Sequence, residues 1–472
     1  MIDRRELLAA AANLGLLPNV VEKDYVLGWL LAGIFHQPEL TEHWVFKGGT
    51  CLKKCYFETY RFSEDLDFTL ADASHLNTDF LRAAFRGVST WVYDQTGIEL
   101  PADRMHFEVF QNPRARPAVQ GRISYRGPIA PSGDLPRIKL DLTADEILVL
   151  PAVERPVSHP YSDAPDGGMV ARCYGYEEVF AEKIRALGER ARPRDLYDVV
   201  NLFRHEEFHP AAAVIHDVLR KKCEFKAIPL PSVARLLPRR DELEGDWAVM
   251  LTHQLPSLPP VEAFWTELPT VFAWIDGGRQ PLVVAAFPLS PGEVVLRPAA
   301  GGLFIPGMVS TAPLEVIRFA ASNRLCVELD YVDEQGGRGV RIIEPYSLRR
   351  TQTGDIVLHA VRADNQLHRS YRVDRIRGAS TTQRTFTPRY AVELTPTGPI
   401  SAPPTSQGSR IAVPRAVGRR ASSRSGPIHV YECPRCNKRF EHSKRNPTLR
   451  AHKDQNGWPC HGRHGFWVDT NW

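Results

Sequence analysis

Three groups of residues in this sequence have the types and spacing that chemistry requires. The first is Lys47-Gly48-Gly49-Thr50 followed by Arg61-Phe62-Ser63-Glu64-Asp65-Leu66-Asp67-Phe68. Glycines let backbone amides approach a phosphate, and the Thr50 hydroxyl adds a donor. In a strand Asp65 and Asp67 point to one side, where two carboxylates can share one or two divalent cations. Asp141, in Ile138-Lys139-Leu140-Asp141, is the candidate third carboxylate, with Asp134 and Asp145 close by. Three carboxylates that hold two metals activate an attacking hydroxyl and neutralise a triphosphate, which is nucleotidyl-transfer chemistry. A lone Gly-Gly or Asp-x-Asp is usually a turn or a solvated face, so the ordered combination carries the reading.

The second group is Cys433-Pro434-Arg435-Cys436, then His452 and Cys460, with fifteen residues before the histidine and seven more before the last cysteine. Zinc takes this tetrahedral mix of thiolate and imidazole. His461 and His464 compete with Cys460 for the fourth position. Phe440 and Leu449 supply the apolar packing that a unit of this size needs beside its metal. The remaining five cysteines, Cys51, Cys55, Cys173, Cys223 and Cys326, are scattered and read as buried or incidental thiols. The third group, Lys438, Arg439, Lys444, Arg445, Arg450 and Lys453, surrounds the metal ligands and suits a phosphate backbone, the alternative being a protein-docking face.

The elements that must position these groups follow from periodicity. Apolar residues at helical spacing from Glu6 to Phe35 predict one or two amphipathic helices. Short apolar or alternating runs predict strands at Trp44–Phe46, Leu66–Leu70 and Arg137–Leu142, the last with Asp141 on its polar face. Residues 177 to 203 read as a helix pair interrupted by Pro193, and helical patterning continues to about Gly277. Pro and Gly mark 278–313 as a linker. A β-rich block follows from Leu314 to about Leu394, with strands at Cys326–Tyr331, Val340–Ile343, Ile356–Val361 and Tyr371–Ile376. Ser, Pro, Gly and Arg dominate 398–427, a second linker.

The first group, preceded by Glu22-Lys23-Asp24-Tyr25 and followed by Ala181-Glu182-Lys183-Ile184-Arg185-Ala186-Leu187, Arg190 and Pro193-Arg194-Asp195-Leu196-Tyr197-Asp198, resembles the AbiEii/AbiGii-type nucleotidyltransferase toxins of the polymerase-β-like superfamily. The resemblance covers roughly residues 1 to 275. It implies that Gly48, Gly49 and Thr50 cradle phosphate and that Asp65 and Asp67 ligate magnesium or manganese. Asp141 becomes third ligand and candidate base, Lys183 meets the nucleoside triphosphate, and Asp195 is nearby. Taken alone, Lys183 is an exposed helix lysine, and Asp195 and Asp198 are helix-start carboxylates favoured by the macrodipole. The implied acceptor is RNA such as tRNA, and the implied role is toxin action, abortive infection or phage defence, with an antitoxin as a possible partner.

The block from Leu314 to Ala379 resembles a WYL domain, a small Sm/SH3-like barrel, through Val327-Glu328-Leu329-Asp330-Tyr331, Ile343-Glu344-Pro345-Tyr346-Ser347-Leu348 and Arg369-Ser370-Tyr371-Arg372-Val373-Asp374-Arg375-Ile376. The naming tripeptide is Ile356-Val357-Leu358 here. The resemblance makes Arg369, Arg372 and Arg375 nucleic-acid candidates, against a plain role in ion pairs with Asp374, Glu344 or Asp364.

The expected fold is therefore α+β. A nucleotidyltransferase domain with a helical C-terminal part spans 1–277, the WYL-like β domain 314–397, and a zinc-binding finger 428–472. The alternative function is a nucleic-acid-binding regulator whose first domain only senses nucleotide.

The chain is 472 residues long with 43% hydrophobic and 24% charged residues, which excludes wholesale disorder and small stapled scaffolds. Residues 398–472 hold thirteen Lys and Arg against four Asp and Glu, leaving 46 basic and 51 acidic residues elsewhere, so the net charge of +4 conceals a basic tail on an acidic body. The longest apolar stretch near the start, Tyr25 to Phe35, is too short to span a bilayer, and Asp3, Arg4, Arg5 and Glu6 replace a signal-peptide pattern. A cytoplasmic protein with no membrane partner is expected.

Overall fold

The computed structural model describes residues 1–14, 16–57, 61–129, 134–205, 210–278, 287–288, 290–296, 312–394, 428–436, 438–442, 447–453, 459–460 and 464–471. The chain divides into two compact units, Met1–Thr405 and Ser406–Trp472. The expected linker 398–427 lies outside the described residues, as does most of 278–313.

Two helices open the first unit, α1 (Arg4–Leu14) and α2 (Pro18–His36). Pro18 begins α2, where a missing N–H costs nothing. Unlike an amphipathic helix, α2 is buried on almost every side, including Glu22 and Asp24. Those charges are tolerated because they are engaged. Glu22 accepts the Ile129 backbone N–H at 2.7 Å, and Asp24 accepts from Lys54 at 2.8 Å and from the Tyr161 hydroxyl at 3.1 Å. Lys23 ties Glu64 at 2.7 Å. The Glu-Lys-Asp-Tyr segment thus ties together the π-turn and loop that precede the first aspartate strand, the stretch before the Asp141 strand, and Tyr161.

Helix α3 (Pro38–His43) leads into β1 (Trp44–Lys47), the short helix α4 (Gly48–Cys51), a π-turn at Leu52–Tyr56 and β2 (Asp65–Leu70). Next come α5 (Thr78–Thr96), β3 (His106–Gln111), β4 (Pro117–Ser124), β5 (Arg137–Thr143), β6 (Val153–Pro156) and β7 (Val170–Cys173). The strands form one mixed sheet in the order β3-β4-β5-β2-β1-β7-β6, with β2–β5 and β1–β7 parallel. All three expected strands around the aspartates are present. Helix α5 was not expected, although Asn77 caps its first turn by accepting from the N–H groups of Asp79 and Phe80, and Gly97 ends it in the left-handed region.

The expected helix pair is α6 (Tyr176–Arg190) and α7 (Pro193–Arg204); Pro193 starts the second helix, where it fits. Helices α8 (Ala212–Lys226), α9 (Val233–Leu236), α10 (Arg240–Leu251), α11 (Glu262–Trp265) and α12 (Leu268–Ile275) complete the helical part.

The second sheet of this unit contains β8 (Val294–Val295), β9 (Leu325–Val332), β10 (Arg338–Arg350), β11 (Ile356–Arg362), β12 (His368–Arg372) and β13 (Ile376–Thr385). Its order is β12-β11-β10-β9-β13, all antiparallel, with β8 paired to β10. Three local expectations need correction. The block begins with a helix, α13 (Ala312–Ser322), because Leu314, Ile317, Ala320 and Ala321 bury one helical face. The expected strand Tyr371–Ile376 is broken by a 3-10 turn at Val373–Arg375, which joins the two ends of the sheet. The stretch read as a linker contributes β8 and the buried Phe287 to this sheet's packing. One apolar cluster runs from Ile2 to Leu394, so the first domain and the β domain share a core.

The second unit contains β14 (Ile428–Glu432), β15 (Arg439–His442), β16 (His452–Lys453), β17 (Pro459–Cys460) and β18 (Phe466–Asn471). Its small core holds Tyr431, Cys433, Phe440, Leu449 and Cys460. No helix of the described residues is long and apolar enough to cross a membrane.

Candidate active site

Strand register gathers the aspartates. In the parallel β2–β5 pair Asp67 lies beside Asp141 and Asp65 beside Lys139. Antiparallel pairing puts Lys47 beside Asp67 and Gln120 beside Asp141. Side chains of directly paired residues share a face, so Lys47, Asp67, Asp141 and Gln120 form a row across four strands. This register selects Asp141 over its neighbours. Asp134 is exposed, and Asp145 is buried in contacts with Asn112 at 2.8 Å and with Arg114 at 3.3 Å.

Lys47 and Lys139 only partly offset the negative charge of the row. The carboxylates of Asp65 and Asp67 make no hydrogen bond or ion pair among the described residues, while Lys139 donates to Asp141 at 2.6 Å. Burial, then repulsion from Asp141 and Asp65, pushes the Asp67 carboxyl up to about 6 against the pull of Lys47 and Lys183. Asp65 is also raised, chiefly by burial and then by Asp141, although Lys139 opposes. Burial disfavours the Lys139 charge, yet Asp141, Asp65 and Asp67 hold it above its usual range. The donor set is hard oxygen and carries excess charge, which fits magnesium or manganese. The ligand oxygens of the three aspartates do not all lie within 4.8 Å of one another, and the Lys139 ammonium is drawn to all three.

Gly48 and Gly49 are required sterically. Gly48 has φ +82°, and a Cβ there would lie 2.2 Å from the Asp67 Oδ2. A Cβ on Gly49 would lie 2.5 Å from an Arg61 guanidinium nitrogen. The Thr50 hydroxyl donates to the Asp65 carbonyl at 2.5 Å, so it ties the glycine turn to the aspartate strand.

Behind the row lies a closed ionic network. Arg61 donates twice to Asp198, both bonds 2.7 Å. Lys183 is 2.7 Å from Asp198 and 3.7 Å from Asp195. Arg190 donates twice to Asp195, at 2.6 and 2.9 Å. Burial would raise the Asp198 carboxyl, but Arg61 and Lys183 hold it well below the usual carboxylate range. Lys183 is therefore not an exposed helix lysine, and it is already paired. Asp195 is wholly buried, with its oxygens held by Arg190 and Lys183.

Three cations near the row were missed in the sequence: Lys47, Lys139 and Arg194. The Arg194 Nε is buried without a hydrogen-bond partner among the described residues. Burial and Arg61 weaken its charge, against the attraction of Asp65 and Glu64. Lys139 was readable, since it alternates with Asp141; the other two required the register and the helix start.

In the β domain the three expected arginines separate. Arg372 pairs with Asp374 at 2.8 Å and Asp355 at 2.9 Å, and Arg375 pairs with Glu334 at 3.1 Å. Arg369 is exposed and donates to the His368 carbonyl at 3.0 Å. The tripeptide Ile356-Val357-Leu358 is buried in β11.

In the second unit, the ligand atoms of Cys433, Cys436, His452 and Cys460 all lie within 4.8 Å of one another. The Cys433 and Cys460 sulfurs are 3.8 Å apart, and the Cys436 sulfur is 3.2 Å from His452 Nε2. His452 Nδ1 faces the Arg450 carbonyl at 2.9 Å, which orients Nε2 inward as a metal ligand requires. Burial opposes the Cys433 thiolate, but backbone N–H groups of Arg435 and Cys436 pull it down to about 6. Cys460 thus completes the set. His464 is exposed, with its backbone bridged to Thr448, and His461 lies outside the described residues.

A glycine turn thus lies beside three aspartates on a mixed sheet. The family described as nucleotidyl transferase AbiEii toxin, type IV toxin–antitoxin system, matches residues 29–272, and the WYL domain family matches residues 313–381. The first match spans more than half of the chain, which belongs to the AbiEii nucleotidyltransferase toxin family. Among solved structures, the chain is similar to MenT4, a nucleotidyltransferase toxin from Mycobacterium tuberculosis H37Rv, at 20% identity over 58% of this chain and 87% of that one, TM-score 0.35. It is also similar to JHP933 from Helicobacter pylori, at 19% identity over 56% and 94% of the two chains, TM-score 0.35. A third similarity is to the proteasome accessory factor PafBC of Arthrobacter aurescens, at 13% identity over 62% and 41%, TM-score 0.14. No curated protein matches.

Proposed function

We propose that this enzyme transfers a nucleotide from a nucleoside triphosphate to an RNA acceptor of the tRNA class, as the toxin of a toxin–antitoxin pair acting in the cytoplasm against phage infection. The observation that carries the reading is the aspartate row, with two carboxylates left without partners beside a glycine turn. Asp65, Asp67 and Asp141 would hold magnesium or manganese, which supplies charge neutralisation and an activated hydroxyl when bound. Gly48 and Gly49 keep the turn open to the triphosphate. Lys183, steadied by Asp195 and Asp198, lends positive charge to the floor of the site, and Lys139 partly offsets the charge of the row through its contact with Asp141. Asp141 is the candidate base.

The proposed domains are 1–277 for transfer, 314–397 for the WYL-like unit and 428–472 for the finger. Zinc would be held by Cys433, Cys436, His452 and Cys460, a set that suits it in type and count. Arg369 and the finger's Lys438, Arg439, Arg450 and Lys453 would meet the RNA backbone. The family's toxin–antitoxin description supports an antitoxin partner.

The test is incubation of the protein with total RNA, magnesium and each α-labelled nucleoside triphosphate, beside the Asp65→Ala, Asp67→Ala double variant. Label in RNA of tRNA size with the intact protein alone is expected. Equal label with both proteins, or label with neither, contradicts the assignment.

A further inference from the structure

The three cysteines Cys51, Cys55 and Cys173 looked incidental in the sequence, yet the fold brings them together. Cys51 ends α4, Cys55 follows one helical turn later in the π-turn Leu52–Tyr56, and Cys173 ends β7. Residues four apart on a helical turn share a face, and π-turns concentrate at functional sites. Strand β7 runs parallel to β1 with Cys173 beside Phe46, which carries its sulfur under the same turn. The three sulfurs all lie within 4.8 Å of one another, and the side chains are 0%, 5% and 0% exposed. Only one other set of side chains among the described residues meets this criterion, the finger's Cys433, Cys436, His452 and Cys460.

We propose that Cys51, Cys55 and Cys173 form a second metal site, a three-thiolate centre for a thiophilic divalent ion of the zinc type, packed beneath the glycine turn of the active site. The dimensions suit it. A metal–sulfur bond of about 2.3 Å places three thiolates around one ion roughly 4 Å apart, within the reach of sulfurs already inside 4.8 Å. Three protein ligands with a fourth position open is a pattern that zinc accepts. The charge also closes. Three thiolates and a divalent ion leave one negative charge, and Arg155 is at hand, donating from Nε to the Cys55 carbonyl at 3.2 Å with its guanidinium 4.6 Å from the Tyr56 ring. A buried site needs this neutrality, because uncompensated charge in a low dielectric is costly. Binding releases the thiol protons, so affinity falls in acid. The ion would stiffen the turn that begins at Gly48, since Cys51 directly follows Thr50 and Thr50 is bonded to the Asp65 carbonyl.

The test uses the full chain carrying Cys433→Ser and Cys436→Ser, which removes the finger's ligands, titrated with cadmium as a thiolate-sensitive probe. Ultraviolet thiolate-to-cadmium absorption saturating at one ion per chain is expected, and adding Cys51→Ala and Cys173→Ala abolishes it. Absence of absorption in the finger variant, with helical circular dichroism intact, overturns the proposal. Should the quadruple variant not fold, Cys55→Ser alone in the finger variant gives the answer: cadmium affinity falls at least tenfold if the site exists and is unchanged if it does not. Thermal unfolding of the finger variant also rises with cadmium if the folded state binds the ion, and an unmoved midpoint contradicts it.

Discussion

Two clusters of charge lie in the first domain, and they are built on opposite principles. In the network of Arg61, Lys183, Arg190, Asp195 and Asp198 every carboxylate is met by two cations, with contacts as short as 2.6 Å to Asp195 and 2.7 Å to Asp198. In the row of Asp65, Asp67 and Asp141 two of the three carboxylates have no hydrogen bond or ion pair among the described residues. The first arrangement lowers the Asp198 carboxyl and the second raises the Asp67 carboxyl to about 6. A balanced buried cluster holds a shape, whereas an unbalanced one is strained by its own repulsion and gains when a cation arrives. The difference lies in the partners that the fold supplies to residues of identical type.

The comparison breaks most readily on activity. Asp65→Ala with Asp67→Ala should reduce nucleotide incorporation by about a thousandfold or more, since several kcal/mol of charge stabilisation is lost, while circular dichroism stays unchanged. Next in size is Asp198→Ala, which removes the carboxylate that Arg61 and Lys183 share and leaves Lys183 only its longer contact with Asp195. It should cost about 3–5 kcal/mol in denaturant unfolding, and a loss below about 1 kcal/mol would put this network on the same footing as the row.

A smaller effect is the pH dependence of the metal-free protein. Asp67 has a raised folded value of about 6 against an unfolded value of 3.8, so the folded state binds the extra proton between those limits. Stability contributed by this group therefore falls as pH rises through that window, by on the order of 3 kcal/mol, and the difference between wild type and Asp67→Asn isolates it. Smallest are the β-domain arginines. Arg372→Ala should cost under about 1 kcal/mol and leave the salt slope of RNA binding unchanged, whereas Arg369→Ala should make that slope shallower. The opposite pattern would return Arg372 to the nucleic-acid surface.

Much of this was readable from the residues. Alternation marked the strands of Asp65, Asp67 and Asp141, and the cysteine and histidine spacing marked the cluster of Cys433, Cys436, His452 and Cys460. What the sequence could not supply was partnership. Arg61 and Asp198 are 137 positions apart, and only the folded chain shows that they neutralise each other. Likewise the parallel register that sets Asp141 beside Asp67 is not written in either strand, and Cys173 stands far from Cys51 and Cys55 along the chain. Helix α13 was misread because its apolar residues precede a β-rich run without a strong break.

The central claim is tested most directly by Asp67→Asn and Asp195→Asn side by side, measuring nucleotide transfer per folded molecule and the unfolding midpoint in metal-free buffer. The account predicts a crossed result: Asp67→Asn is inactive and at least as stable as wild type, while Asp195→Asn is destabilised and keeps transfer in its folded fraction. Asp67→Asn that transfers normally, or that loses as much stability as Asp195→Asn, would contradict it.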